Sequence, residues 1–175
     1  VGLKSTATIM FGHVDHPRHW ARHLMRVKAL QERTGGFTEL VPLAFVHMES
    51  PIYLRGQARK GPTFREAVLM HAVGRLVLDP VITNIQASWV KLGLKMATLS
   101  LLAGADDLGG TMFEERISAG AGATGTDYLA PEEMARVAAR PKAVYRVSHA
   151  RVTDRDTVEI DGIRFASRAL SRNLT

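Results

Sequence analysis

Four stretches of this chain carry side chains that could do chemistry. In Leu101-Leu-Ala-Gly-Ala-Asp-Asp-Leu-Gly-Gly-Thr111, Asp107 offers a carboxylate. Gly109-Gly110 offers a loop whose backbone amides a ligand can approach closely, because no side chain stands in the way. Thr111 with Glu114 reads as a capping box for a following helix. Ligands of α/β barrels and open α/β sheets bind at such strand ends. The competing reading is that Asp107 satisfies backbone amides and the glycines only turn the chain. In a second stretch Gln86, Ser88 and Lys91 surround Trp89. Amide, hydroxyl and ammonium groups can hydrogen-bond a polar heterocycle on which an indole stacks, or they can simply anchor a loop. His47 and Glu49 form a possible acid–base pair, or two polar loop residues. His13, Asp15 and His16 resemble a metal-ligand pattern. A metal needs several correctly placed ligands. Capping of the helix that starts at Pro17 needs only Asp15 in local geometry, and is favoured.

These residues need elements to hold them. Thr6–Phe11 is β-prone. Pro17 suits the first position of a helix, whose apolar stripe is Trp20, Leu24, Val27 and Leu30 and whose end is Thr34-Gly35-Gly36. Phe37–Val46 reads as a strand apolar on both faces, as parallel strands usually are, with Pro42 marking a bulge or its end. His47–Pro62 is a long loop of the kind that often carries function. Thr63 and Glu66 cap a helix to Leu78, with Ala67, Met70, His71, Gly74 and Val77 or Leu78 on one side. His71 reads as structural. Pro80–Ala87 is a third strand. Leu92, Met96, Leu99 and Leu102 mark the face of the next helix, which ends near Gly104, and Asp106–Leu108 is a fourth strand. A short helix to Ala119, a Gly-rich linker from Gly120 to Thr126 and a helix from Pro131 to Ala139 follow. Val158, Ile160, Ile163 and Phe165 alternate about Asp161-Gly162, as in a small hairpin.

The order is βαβαβαβα, which implies a parallel sheet with right-handed crossovers. Four such units are half of a (β/α)8 barrel; a small open sheet is the alternative. Nothing precedes the first strand to pair with it, so the sequence reads as the C-terminal part of a longer protein. The expected organisation is a barrel half over 1–125, a helical segment over 126–143, and a tail over 144–175.

The totals exclude several classes. The 175 residues are 46% apolar and 23% charged, which fits one globular domain and excludes a disordered chain. No apolar run nears the roughly 18 residues of a membrane span. The absence of cysteine excludes a disulfide framework, fits a reducing, cytoplasmic compartment, and leaves no thiolate for an iron–sulfur cluster. Net charge is +6. Few aromatics and no known recognition motif accompany it, so nucleic acid is not an expected partner.

Longer motifs carry a family resemblance. Ser5-Thr-Ala-Thr-Ile-Met-Phe-Gly-His-Val-Asp15 resembles the fifth-strand motif of radical S-adenosylmethionine enzymes that build deazaflavin and menaquinone precursors. Asn84-Ile-Gln-Ala-Ser-Trp-Val-Lys-Leu-Gly93 is similar to their seventh strand, Gly104–Thr111 to the eighth, and Glu114–Ala123 to the segment after it. Val41-Pro-Leu-Ala-Phe-Val-His47 joins the match, which spans residues 2–125. The wording Trp-Val-Lys-Leu-Gly and Asp-Leu-Gly-Gly-Thr most resembles the tyrosine-consuming half of the FO synthases. Asp106 departs from it, standing where those enzymes usually have asparagine, and its wording is similar to aminofutalosine synthase. The tail after Arg140 does not resemble the family's ending.

The resemblance implies a radical transferase. A 4Fe–4S cluster, held by a cysteine triad in an N-terminal half, cleaves S-adenosyl-L-methionine. The resulting radical acts on L-tyrosine, and the hydroxybenzyl fragment joins 5-amino-6-ribitylaminouracil. A ring-closing FO synthase half, fused or separate, completes the deazaflavin. Carried over by position, Thr8, Ile9, Met10, Gly12 and His13 would lie on the cofactor side. His47, Gln86, Ser88, Trp89 and Lys91 would face the substrate, with Asp107, Gly109 and Gly110 closing the floor. The rivals are a menaquinone-pathway enzyme, namely aminofutalosine synthase or cyclic dehypoxanthine futalosine synthase, and a non-catalytic barrel fragment.

Overall fold

The computed structural model describes residues 2–110, 116–125 and 128–139, and the backbone of three later strands. The Thr111/Glu114 capping box and the Asp161-Gly162 turn lie outside the described residues. The chain divides into two units, Val1–Lys142 and Ala143–Thr175.

The first unit is a mixed α/β structure built on a small parallel sheet. Strand β1 (Ser5–Phe11) pairs in parallel with β2 (Phe37–Ala44), Ile9 opposite Pro42 and Met10 opposite Leu43. Between them runs α1 (Pro17–Thr34). Trp20, Leu24 and Val27 are buried as the stripe requires, but Leu30 is 36% exposed and falls outside it. The side chain of Gln31 fastens the last turn of α1 to the sheet. It donates to the Phe37 and Val81 carbonyls, both at 3.0 Å, and accepts from the Phe37 amide at 2.8 Å.

The loop after β2 contains a short helix, α2 (Pro51–Leu54), where the sequence predicts none. Helix α3 (Phe64–Leu78) starts with the predicted capping box: Thr63 and Glu66 satisfy each other's backbone amides. Arg59 donates to Glu66 and holds its carboxyl below the usual range, which ties the loop to the helix.

The third predicted strand is reduced to single bridges. Leu40 receives Gln86 and donates to Asn84 across one edge of β2. The next donor on that edge would be residue 42, and proline has no N–H. The ladder therefore stops there, and Pro42 lies fully buried within β2 without bulging it. The only irregularity in the β1–β2 register is between Ser5 and Ala7. The Asp106–Leu108 strand is likewise a single parallel bridge, Gln86 to Asp107, with Asp106 donating to the Ile85 carbonyl and Ala87 to the Asp107 carbonyl.

The predicted loop Ser88–Lys91 is instead a one-turn helix, α4 (Trp89–Leu92), which Gly93 separates from α5 (Leu94–Leu102). The buried face of α5 is Ala97, Ser100 and Leu101, whereas Leu102 is 58% exposed. The break at Gly93 resets the helical phase, so the stripe read through Leu92 falls on the wrong face. Helices α6 (Arg116–Gly120) and α7 (Pro131–Ala139) complete the unit.

The helices cover one face of the sheet. Ala7, Leu24, Val27, Leu40, Leu78, Ile82 and Ile85 form one core cluster. Ile9, Phe11, Trp20, Ala44, Ala67 and Met70 form the next. On the other face stand Thr6, Thr8 and Met10 of β1, all exposed, and beside them Leu43 of β2. This uncovered face carries the candidate site. No described helix is long and apolar enough to cross a membrane.

His71 is fully buried on α3, its Nδ1 2.8 Å from the Ala67 carbonyl. Burial pushes its pKa below the ordinary value, against the pull of the Ala67 and Gln86 carbonyls. The folded chain thus holds it neutral, while an unfolded chain protonates it near its ordinary pKa of about 6.5. Its contribution is complete above that pH and is lost as pH falls below it, because the unfolded state then binds the extra proton. Urea unfolding at pH 8 and pH 5.5 should show a larger acid loss for wild type than for His71→Gln. Equal losses would remove His71 from this account.

The second unit is a three-stranded antiparallel sheet: β3 (Ala150–Asp154), β4 (Thr157–Ile160) and β5 (Ile163–Ala166). The pairing sets Val158 against Phe165 and Ile160 against Ile163. Strand β3 has no counterpart in the sequence reading.

Candidate functional site

The uncovered face holds a hollow of about 350 Å³ between Met10 and Leu43 on one side and the ends of the third and fourth extended segments on the other. Gln86, Ser88, Trp89, Lys91, Gly109 and Gly110 all line it, and Ile117 of α6 adds an apolar edge. Six of the eight predicted substrate-side residues thus meet in one place. Asp107 lies just outside that lining, and His47 lies in an adjoining hollow of about 300 Å³ that shares Lys91. The His47 ring meets Tyr53 edge-on at 4.7 Å, rather than pairing with Glu49.

Trp89 does not offer a free stacking face. Its indole is 2% exposed and packs among Ala97, Leu101, Leu108 and Leu129. Its Nε1 donates to the Gly110 carbonyl at 3.1 Å. The indole therefore props the glycine corner from below, a role that burial favours because the N–H still finds an acceptor. Gly109 has φ +81°, and a Cβ there would lie 3.0 Å from Gln86 Oε1. Glycine takes this backbone without strain and keeps the Gln86 side-chain oxygen clear, while its own N–H is held by Asp107.

Beneath the hollow runs a chain of side-chain hydrogen bonds. Asn84 Nδ2 donates to Glu39 Oε2 at 3.2 Å and to Asp107 Oδ2 at 3.4 Å. Gln86 Nε2 donates to Glu39 Oε2 at 3.4 Å. Asp107 Oδ1 accepts from the Gly109 amide at 2.5 Å. Asp107 thus satisfies a backbone amide, one of its two sequence readings, and also accepts from Asn84. Glu39 and Asn84 were not singled out in the sequence reading. The signal for Glu39 was present: it is the one charged residue between Phe37 and Val46, and a charge inside an otherwise apolar strand asks for partners.

Of the residues that the resemblance puts on a cofactor side, Thr8 and Met10 face the open side, Met10 being 52% exposed. Ile9 points the opposite way into the core, so alternation along the strand separates it from its neighbours. Ile9, Met10 and His13 do line a second hollow of about 340 Å³ beside α1, together with Asp15 and Trp20. The amides of Gly12 and His13 are not open to a ligand, because both donate to the Asp15 carboxylate, at 2.9 and 2.6 Å. Trp20 Nε1 donates to the same carboxylate. Asp15 therefore does not cap α1. Pro17 at the first helical position makes His16 the capping residue, and its ring accepts from the Arg18 amide. The His13 ring packs edge-on against Phe45 at 5.8 Å. Among the described residues no three His, Asp or Glu side chains gather as a metal site would require.

Asp106 lies off this site. It pairs with Arg75 at 2.8 Å and accepts from the Ile85 amide at 2.7 Å. Arg75 also donates to the Gly104 and Thr83 carbonyls. The acid at 106 therefore fastens α3 to the two short segments, and its identity bears on the scaffold rather than on the hollow.

Comparison with known proteins shows the family. The profile described as the CofH/MqnC C-terminal region matches residues 34–135. A 5-amino-6-(D-ribitylamino)uracil–L-tyrosine 4-hydroxyphenyl transferase of Methanopyrus kandleri is 56% identical over 137 residues, which are 78% of this chain and 37% of that protein. The protein of the same name from Methanosphaerula palustris is 60% identical over 138 residues, 79% of this chain and 38% of its own length. The FO synthase of Mycobacterium leprae is 48% identical over 153 residues, 87% of this chain and 17% of that protein. The chain thus spans less than two fifths of each of these relatives. The profile match covers more than half of the chain, including the Glu39–Asn84–Gln86–Asp107 floor and the glycine corner above it, and on that ground the chain belongs to the CofH/MqnC C-terminal region family.

Proposed function

We propose that this chain is the substrate-side segment of a radical S-adenosyl-L-methionine transferase. That enzyme joins the tyrosine-derived hydroxybenzyl group to 5-amino-6-(D-ribitylamino)uracil on the way to a deazaflavin. The observation that carries the reading is the 56–60% identity to proteins named for this transfer, over 78–79% of this chain. The parallel segments with helices on one face fit the C-terminal half of a (β/α)8 barrel, whose ligands sit at the strand ends. On this reading residues 1–125 are the barrel half, 126–143 a helical segment and 144–175 an appended unit.

The chain contains no cysteine and so does not fit the 4Fe–4S cluster, which needs thiolates from another segment. S-adenosyl-L-methionine fits better: Thr8 and Met10 present a hydroxyl and a thioether on the open face beside the hollow. When bound, the cofactor supplies the radical that begins the chemistry. The residues of this chain do the rest by position. Met10 and Leu43 on one side and Ile117 at the edge give the hollow an apolar rim. Gln86, Ser88 and Lys91 supply the polar groups that orient a heterocycle, and the Trp89-propped glycine corner keeps them at fixed spacing. A reducing cytoplasm suits such a cluster. A ring-closing half completes the product; the matched segment is 17% of the Mycobacterium leprae FO synthase but 37% of the Methanopyrus transferase, so the former has much more chain in which to carry it.

The test is product analysis of the full-length, cluster-reconstituted enzyme. Tyrosine with the diaminouracil should give the coupled adduct, and futalosine-type substrates should give none. The reverse pattern would move the chain to the menaquinone route. No turnover of either would leave the barrel-fragment rival standing.

A further inference from the structure

We propose that Glu39 is a positioning residue: it fixes which end of the Gln86 amide the hollow presents, and so makes this corner select ligands that bring an N–H group. The identity of the ligand rests on the functional reading above; the orientation does not.

A carboxylate accepts hydrogen bonds and does not donate them. Glu39 Oε2 is met by Asn84 Nδ2 at 3.2 Å and by Gln86 Nε2 at 3.4 Å. Both amides must therefore turn their NH2 ends down toward the floor. For Gln86 this leaves Oε1 directed at the glycine corner, 3.0 Å from where a Cβ of Gly109 would stand. The Gly109 amide does not occupy that oxygen, because it is committed to Asp107 Oδ1 at 2.5 Å. Asn84 donates to Glu39 and Asp107 together and locks the two carboxylates into one floor. The hollow consequently shows an acceptor at Gln86, with the Ser88 hydroxyl and the Lys91 ammonium on the same lining.

A ring with an N–H beside a carbonyl would satisfy both kinds of group at once: its N–H reaches Gln86 Oε1 and its carbonyl faces Ser88 or Lys91. A phenol has a single hydroxyl, which can meet Gln86 Oε1 or the Ser88–Lys91 side but does not span both. A carbonyl or carboxylate placed against Gln86 Oε1 would meet a second acceptor and be rejected. The chemical class that fits is an aminated pyrimidine dione, which under the functional reading is the aminouracil; the ammonium and carboxylate of free tyrosine are the competing pair, and a rise in the tyrosine KM instead of the aminouracil KM would overturn the assignment.

Two measurements test this. In the full-length enzyme, Glu39→Leu should raise KM for the aminouracil about tenfold, the worth of one well-made hydrogen bond. It should leave kcat and the tyrosine KM near wild type. Glu39→Gln keeps an acceptor oxygen and should recover most of the loss. A parallel fall in kcat, both KM values and melting temperature would show a merely structural residue, and unchanged constants would equally end the proposal. Independently, the chain labelled with 15N-glutamine has only three glutamines, Gln31, Gln57 and Gln86. The side-chain amide protons of Gln86 should exchange more slowly than those of exposed Gln57 and reach the Gln57 rate in Glu39→Leu. Fast exchange in wild type would overturn the positioning role whatever the activity. Protection in wild type with release in Glu39→Leu, in an enzyme that fails to couple the two substrates, would keep the positioning role and retire the functional reading.

Discussion

Gly12→Ala is expected to destabilise the chain by about 3 kcal/mol, from a left-handed backbone that costs an L-residue roughly 1–2 kcal/mol and an overpacked contact that costs as much again. Gly12 ends β1 with φ +93°, and a Cβ there would lie 2.3 Å from both the nitrogen and the Cδ of Pro62. Neither atom belongs to a side chain that can swing aside. Pro62 is held in turn, because it immediately precedes Thr63, whose capping box starts α3, and because Arg59 pins the loop to Glu66. The strain has no cheap outlet, so it must move the β1 turn or the start of α3. For a chain of this size the loss corresponds to a melting temperature lowered by roughly 6–12 °C. Thermal unfolding of the two proteins side by side is sufficient to check it. A variant melting within 2 °C of wild type would mean that the two loops do not approach as the structure has them.

This contact shows why some of the molecule could be read from the sequence and some could not. Strands β1 and β2 and helices α1, α3 and α7 are legible because their signals are local: the β-prone run Thr6–Phe11, the apolar run from Phe37, the stripe through Trp20, Leu24 and Val27, the Thr63–Glu66 box, and Pro17 and Pro131 at helix starts. The third and fourth strands were read too long because their fate is decided by a partner. Pro42 removes the donor that would have extended the ladder at Gln86, and nothing within Pro80–Ala87 reveals it. The face of α5 was misread for a related reason, since its close-packed side is made of Ala97 and Ser100, which carry little hydrophobic signal.

The convergence of Gln86, Ser88, Lys91, Gly109 and Gly110 on one hollow is legible because they sit at the ends of consecutive extended segments, which parallel order brings together. Chemistry alone does not choose between the two readings of Trp89 and does not mark Glu39. An indole beside polar groups suggested stacking, but Trp89 faces inward, because its ring is the largest piece of core available under the glycine corner. Glu39 was passed over because its strand otherwise reads as apolar on both faces. The floor that it organises becomes visible only when Asn84 and Gln86 from a sequence-distant segment arrive beside it.

Asp15→Asn should cost about as much as Gly12→Ala, roughly 3 kcal/mol at neutral pH, since it weakens several bonds to a charged acceptor at once. The Asp15 side chain is only 8% exposed. It accepts from the Gly12 amide with both oxygens, from the His13 amide and from the Trp20 indole. An asparagine can turn one oxygen toward the amides, but its NH2 then faces the Trp20 N–H, donor against donor. Trp20 packs edge-on against Phe11 at 5.7 Å, so disturbing its anchor loosens the second core cluster as well as the turn that carries His13. The pH dependence distinguishes this account from a simple loss of packing. Burial pushes the Asp15 carboxyl up, but the Gly12 amide, the Trp20 indole and the His13 amide outweigh it and hold the pKa below the ordinary value. A lowered pKa means that the stabilisation is complete above the unfolded pKa, near 3.8, and is lost as pH falls through the folded one. Urea unfolding should therefore show the full gap between wild type and Asp15→Asn at pH 7 and a narrowed gap at pH 3. A gap of the same size at both pH values would mean that the carboxylate's charge contributes nothing, and that only the shape of the side chain holds the turn after β1.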